Sequence, residues 1–186
     1  MSSAVIVCPY SEEWPRQFSK LKALLWIKVS DLALAIEHVG STSVQGLAAK
    51  PIIDIDIVIS DLSLLPQIAD KLASLGYEHR GNLGIENREA FRHPQPEIKH
   101  NLYVCPSHSE ALLNHLSLRD ALRENTALRD EYGSLKFRLA EKFPNSIDDY
   151  IEGKTDFILK VLAKGNLGKD SLEAIRKMNL APKSKS

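Results

Sequence analysis

Ile52-Ile53-Asp54-Ile55-Asp56-Ile57-Val58-Ile59 is the stretch whose reading decides the fold. Pro51 opens it, which a strand tolerates at its first position, where no ladder donor is needed. Side chains alternate across a strand, so Asp54 and Asp56 share one face while Ile53, Ile55 and Ile57 supply the buried other. Two carboxylates on one face of an apolar strand repel each other and are costly to bury. A divalent cation compensates them. Oxygen ligands of this kind favour magnesium, usually held by one or two carboxylates together with substrate phosphates.

Working back from this strand, a second short one is predicted over Leu34 to Val39, ended by Gly40-Ser41-Thr42-Ser43. A short helix or turn from Val44 to Ala49 leads into the acidic strand. Gly40 lets backbone approach a phosphate with no Cβ in the way. Ser41 adds a hydroxyl, Thr42 and Ser43 complete the phosphate-binding segment, and a helical turn directs N–H groups at an anion. Phosphate on one side and metal on the other describe a phosphoryl-transfer site. Gly-Ser alone is usually a turn, and Asp-x-Asp alone is often a wet strand face; their order and separation carry the reading.

Outward from this centre, the pattern predicts a first helix from after Ser11 to about Val29, striped by Trp14, Phe18, Leu21 and Leu25. An amphipathic helix over Leu64 to Leu75 is closed by Gly76. Weak strands near Tyr77 to Arg80 and Ala90 to His93 flank a turn at Gly81 to Gly84, and Ile98 to Cys105 alternates as a further strand. After Pro106 the pattern is helical. Leu112, Leu116 and Leu122 mark one helix, Leu128, Tyr132, Leu135, Leu139 and Phe143 the next, and Ile151, Ile158, Val161 and Leu162 a third, capped by Ser146. Strands followed by a run of helices predict an α+β architecture: a mixed sheet with an N-terminal helix and a C-terminal helical bundle. The expected organisation is one domain over residues 1–180, with an α/β core at about 30–106, a helical part at about 107–180 and a flexible tail at 181–186.

Composition bounds the function. The 186 residues are 44% hydrophobic and 26% charged, ordinary for a globular chain with a real core. Basic and acidic residues both total 24, and 6% are aromatic, so a nucleic-acid partner is not expected. Cys8 and Cys105 lie far apart, which excludes a ligand-spaced zinc cluster. Neither a signal peptide nor a membrane-length apolar run is apparent, so a cytoplasmic location is expected.

The segments Glu37-His38-Val39-Gly40-Ser41-Thr42-Ser43-Val44, Gly46-Leu47-Ala48-Ala49-Lys50-Pro51-Ile52-Ile53-Asp54-Ile55 and Glu152-Gly153-Lys154-Thr155 resemble the GrpB family, as do Cys8-Pro9-Tyr10 with Trp14, and Arg119-Asp120. The likeness runs from about Val5 to Lys164. It implies a nucleotidyltransferase-like fold with a helical C-terminal part. Related domains occur fused to dephospho-CoA kinase, which implies a nucleotide or coenzyme A context. Active members of the wider superfamily place a third carboxylate on a later strand. Here Ile98-Lys99-His100-Asn101-Leu102-Tyr103-Val104 has none, and the family's histidine pattern is only partly matched. His100 and Glu97 are the candidates for a third ligand; a hydrogen-bonded structural His and a salt-bridging Glu are the other readings.

Lys50, Arg80, Arg88, Arg92 and His93, with Arg119 and Lys154 from the helical part, are cations available to phosphates. Lys50 and Arg92 are preferred because they adjoin the predicted strands. His38 is read as capping its strand end. Two functions are expected. One is a magnesium-dependent nucleotidyltransferase moving a nucleoside monophosphate from a triphosphate to a small-molecule or protein hydroxyl, with Asp54 and Asp56 as catalytic metal ligands. The other is a non-catalytic nucleotide- or coenzyme-A-binding domain.

Overall fold

The computed structural model describes residues 4–164, 172–173 and 175–177; the expected tail at 181–186 lies outside them. Helix α1 spans Glu13–Val29, with Glu13 in its first turn and Lys28 in its last, each at the end its charge favours. The Ser11 hydroxyl accepts the Glu13 N–H, satisfying one donor at the helix start. Strand β1 (Ala33–Val39) leads through a 3-10 turn (Ser41–Ser43) and a loop to β2 (Ile53–Ile59). A short turn and α2 (Leu65–Ala73) follow, then β3 (Glu78–His79), β4 (Glu89–Arg92) and β5 (His100–Pro106). Helices α3 (Glu110–Glu124), α4 (Thr126–Lys142) and α5 (Ile147–Lys164) complete the described elements.

The five strands form one mixed sheet in the order β1-β2-β5-β4-β3. β2 runs parallel to β5, with Ile53 opposite His100 and Asp54 opposite Asn101, while the other pairs are antiparallel. The α+β architecture expected from sequence, with a leading helix and a trailing helical part, is the one adopted.

Parity places every second residue of β2 in the same apolar layer. Ile53, Ile55, Ile57 and Ile59 are all fully buried against Leu21 and Leu25 of α1 and Ile68 and Leu72 of α2. Each such side chain contributes about 2 kcal/mol relative to leaving it in water. The opposite face is covered by the C-terminal helices: Val58 and Cys105 pack on Leu112 of α3, and Val44 and Leu47 on Tyr132 of α4 and Phe157 of α5. The sheet is thus helix-covered on both sides, and Asp54 and Asp56 belong to the side facing α3, α4 and α5.

Asn125 ends α3, and its side chain caps α4 by accepting the Leu128 N–H. Ser146 likewise accepts the Asp149 N–H at the start of α5, as the sequence predicted. At Gly153, α5 lies so close to α4 that a Cβ would collide with Leu139. Among the described residues no helix is long and apolar enough to cross a membrane.

Candidate functional site

The site grows from the loop joining β1 to β2. Gly40 ends β1 with φ +68°, a conformation L side chains rarely adopt, and a Cβ there would collide with the Asp54 carboxylate. Glycine is therefore required by the close approach of Asp54 as well as by the turn. Ser41 follows and hydrogen-bonds the Tyr132 hydroxyl of α4.

Thr42 and Ser43 are turned mainly inward. Thr42 Oγ1 bonds His38 Nε2 at 3.0 Å, and Ser43 Oγ donates to Gly40 O at 2.6 Å. Both residues are buried, and of the two only Thr42 lines the cavity beside Asp54. His38 stacks on Phe18 at 4.5 Å, and its ring is pushed down to about 4 by burial and then by Arg123 and Arg119. It bonds Thr42 beneath the loop.

Asp54 and Asp56 share a face, yet their surroundings differ. Asp54 is half-buried, accepts from Asn101 Nδ2 at 2.8 Å, and opens onto a cavity of about 320 Å³. Burial, helped by the charge of Asp56, holds its carboxyl above the usual range, while Asn101, His115 and Lys154 pull the other way. Asp56 is fully buried. His115 Nδ1 of α3 donates to its Oδ2 at 2.7 Å, and its Oδ1 has no hydrogen-bond partner. Burial lowers His115, but the charge and hydrogen bond of Asp56 outweigh it and hold the ring above its ordinary value.

The remaining cavity wall is basic. Lys50 enters from the loop before β2, and Lys136 of α4 and Lys154 of α5 enter from the helices, with Tyr103, Tyr150 and Ile151 between them. Lys136 is 2% exposed and its Nζ lacks a hydrogen-bond partner. Burial and then the charge of Lys154 push its amine down to about 6. Lys154 is lowered to about 8 by burial and Lys50. Their nitrogens lie over the rings of Tyr132 at 4.5 Å and Tyr150 at 4.4 Å.

Three of the expected residues lie away from the acidic cavity. His100 and Glu97 do not approach the acids. His100 pairs with Ile53, so it faces the α1–α2 side, where Tyr77 OH lies 2.7 Å from Nε2 and Ile98 O 2.6 Å from Nδ1. Glu97 is exposed and lines a separate cavity there with Lys20 and His93. The β5 positions beside Asp54 and Asp56 are Asn101 and Tyr103. Arg92 is exposed at the end of β4 and lines none of the acidic cavity; Arg88, from the same edge, lies over the Tyr103 ring at 4.3 Å. Arg119 braces β1, bonding Glu37 and the His38 carbonyl.

Magnesium was expected, and the donor set fits it in part. Two carboxylates with one unpartnered oxygen, Asp56 Oδ1, suit an oxygen-seeking cation. Among the described residues no group of three His, Cys, Asp or Glu converges. A cation held by these two acids would complete its shell with ligand phosphate and water.

A half-buried carboxylate facing a cluster of lysines across one cavity, beside a second, fully buried acid on the same strand of a helix-clad mixed sheet, defines an α+β protein with a charged candidate site. The chain belongs to the GrpB family: the model of that family, described as GrpB protein, matches residues 4–164. It is 34% identical over 163 residues to the glutamate-rich protein GrpB of Alkalihalophilus pseudofirmus, covering 85% of this chain and 94% of that one. It superimposes on the crystal structure of conserved protein GrpB from Enterococcus faecalis with TM-score 0.77 at 33% identity, covering 93% and 99% of the two chains. It is also 34% identical over 149 residues to the UPF0157 protein YqkA of Bacillus subtilis, covering 80% of this chain and 43% of that protein. The match to dephospho-CoA kinase of Mycobacterium tuberculosis, 33% over 180 residues, covers 81% of this chain and again 43% of the relative. The chain therefore spans less than half the length of these last two proteins.

Proposed function

We propose that the cavity beside Asp54 binds a nucleoside triphosphate and that the chain is a magnesium-dependent nucleotidyltransferase acting on a hydroxyl acceptor. The observation that carries this reading is the convergence of Ser41, Lys50, Asp54 and Lys154 on one cavity beneath the Gly40 turn. Lys50 and Lys154 meet the negative phosphates, and Lys154 opposes the charge that develops on a leaving group. Ser41 orients a phosphate oxygen. Asn101 fixes the carboxylate of Asp54, and His115 fixes that of Asp56, so that both acids are preorganised. Magnesium, held by Asp54 and Asp56, supplies charge neutralisation on the phosphates when bound.

A second reading, a nucleotide- or coenzyme-A-binding domain without catalysis, is favoured by the same β5 positions. Asn101 and Tyr103 stand where a third acid would complete the metal cage. Calorimetric titration of ATP, GTP, CTP and UTP, with and without magnesium, separates the two on wild type and on Asp54→Asn/Asp56→Asn. Magnesium-dependent binding lost in the double variant supports the enzyme; binding indifferent to magnesium supports the binding domain. Absence of binding by every triphosphate overturns the enzyme and the nucleotide form of the binding domain, leaving its coenzyme A form.

A further inference from the structure

Among the residues lining the cavity is a lysine with nothing to hold. Lys136 Nζ is buried, 2% of the residue is exposed, and no hydrogen-bond partner reaches it. A buried ammonium without a partner costs several kcal/mol, so a side chain placed this way sheds its proton rather than bearing the charge. The groups that face it agree. From α5 it meets Lys154, whose charge repels a second ammonium, and Tyr150; on its own helix Tyr132 stacks beneath it. From β2 the Asp54 carboxylate attracts a charge, and Lys50, on the loop before it, lines the same cavity with its own amine lowered by burial. Tyr103 of β5 closes the wall. Burial and Lys154 prevail over Asp54, leaving the amine at about 6.

An entering anion changes this balance at one stroke. It provides the missing acceptor for Nζ and offsets the charge of Lys154. We propose that Lys136, with Lys50 and Lys154, forms a cradle for a terminal phosphate group, a phosphomonoester or the end of a phosphoanhydride chain, and that Lys136 takes up a proton as that group enters. This rests on the reading of the cavity as a phosphate site and names the part of the ligand that meets its lysines. An internal phosphodiester carries one charge and a second substituent. It can neither repay the ionisation of Lys136 nor turn three bare oxygens to three amines. A terminal phosphate carries about two charges near neutrality and presents three oxygens.

The experiment is calorimetry at pH 7.5 in two buffers of different ionisation enthalpy. The probes are inorganic phosphate, phenyl phosphate, dimethyl phosphate and each nucleoside triphosphate with magnesium. Phosphate and phenyl phosphate are expected to bind with uptake of about one proton, and dimethyl phosphate at least tenfold more weakly. Lys136→Met should lose at least tenfold in affinity and all of the uptake. Lys136→Arg, which cannot shed its proton, should bind without uptake, and circular dichroism checks that both variants fold. Binding of a triphosphate with no proton uptake, unchanged in Lys136→Met, would overturn the cradle and leave the nucleotide reading standing. Binding of inorganic phosphate with uptake, and of no triphosphate, would keep the cradle and overturn the nucleotide reading. Equal affinity for phenyl and dimethyl phosphate would overturn the selectivity.

Discussion

At the scale of single residues, the site turns on one glycine and two carboxylates. Gly40 and the pair Asp54 and Asp56 lie within one hairpin, so local order and strand parity were enough to bring them together. Gly40 carries two constraints that can be separated. Gly40→Ala is expected to lower the unfolding free energy by about 2 kcal/mol, through its left-handed φ and the collision with Asp54. Adding Asp54→Ala removes the two closest atoms of the collision, leaving a tight Cβ contact at 3.0 Å and the φ strain, so urea titrations of the single and double variants should show partial recovery. Equal losses in both would place the whole cost in the backbone.

His100 shows what parity could have decided. Ile98, His100, Leu102 and Val104 alternate together, and the last two are core residues, so His100 belongs to the apolar face and Asn101 to the acidic one. His115, Lys136 and Arg119 left a similar mark. Each falls on the inward face of its helix, His115 three residues after Leu112, Arg119 three before Leu122, and Lys136 four after Tyr132. A polar residue inside an apolar stripe signals a buried partner or ligand, but the stripe does not say which strand it faces. That depends on how helices dock on the sheet, across some 60 to 80 residues of sequence.

At the scale of elements, the helical part holds the loop that forms the site. Arg119 and Arg123 of α3 and Arg129 of α4 donate to the carbonyls of His38, Ser43 and Gln45. Three guanidinium groups thus fix a segment with little regular structure of its own, between the end of β1 and the start of β2. Hydrogen bonds from charged donors contribute about 1.5–3 kcal/mol each. Arg123→Ala is expected to raise amide exchange at residues 41–47 about tenfold and to weaken phosphate binding, although its side chain lines no part of the cavity. Exchange mass spectrometry on the free protein checks it; unchanged exchange in that segment would mean that packing of Val44 and Leu47 alone holds the loop.

At the scale of the molecule, equal numbers of basic and acidic residues conceal an uneven distribution, because three lysines face one half-buried carboxylate around a single cavity. The same burial makes the fold sensitive to acid. His38 is lowered to about 4 in the folded chain against about 6.5 unfolded, so the unfolded state binds the proton first. Its share of stability is complete above pH 6.5 and is lost as pH falls towards 4, about 3 kcal/mol in all. Chemical denaturation between pH 7 and pH 4 should show this slope, flattened in His38→Asn. An identical slope in the variant would assign the loss to other groups.

The contact of Gly153 with Leu139 bears on the cavity in a further way. Helices usually keep apart by the thickness of their side chains, and here one hydrogen atom stands in for a methyl group. Lys154 follows Gly153 directly, and Lys136 precedes Leu139 by three residues on the facing helix. The narrow crossing therefore acts as a gauge block: its thickness sets how far apart the jaws bearing the two amines can stand, and so the size of anion that the proposed cradle would admit.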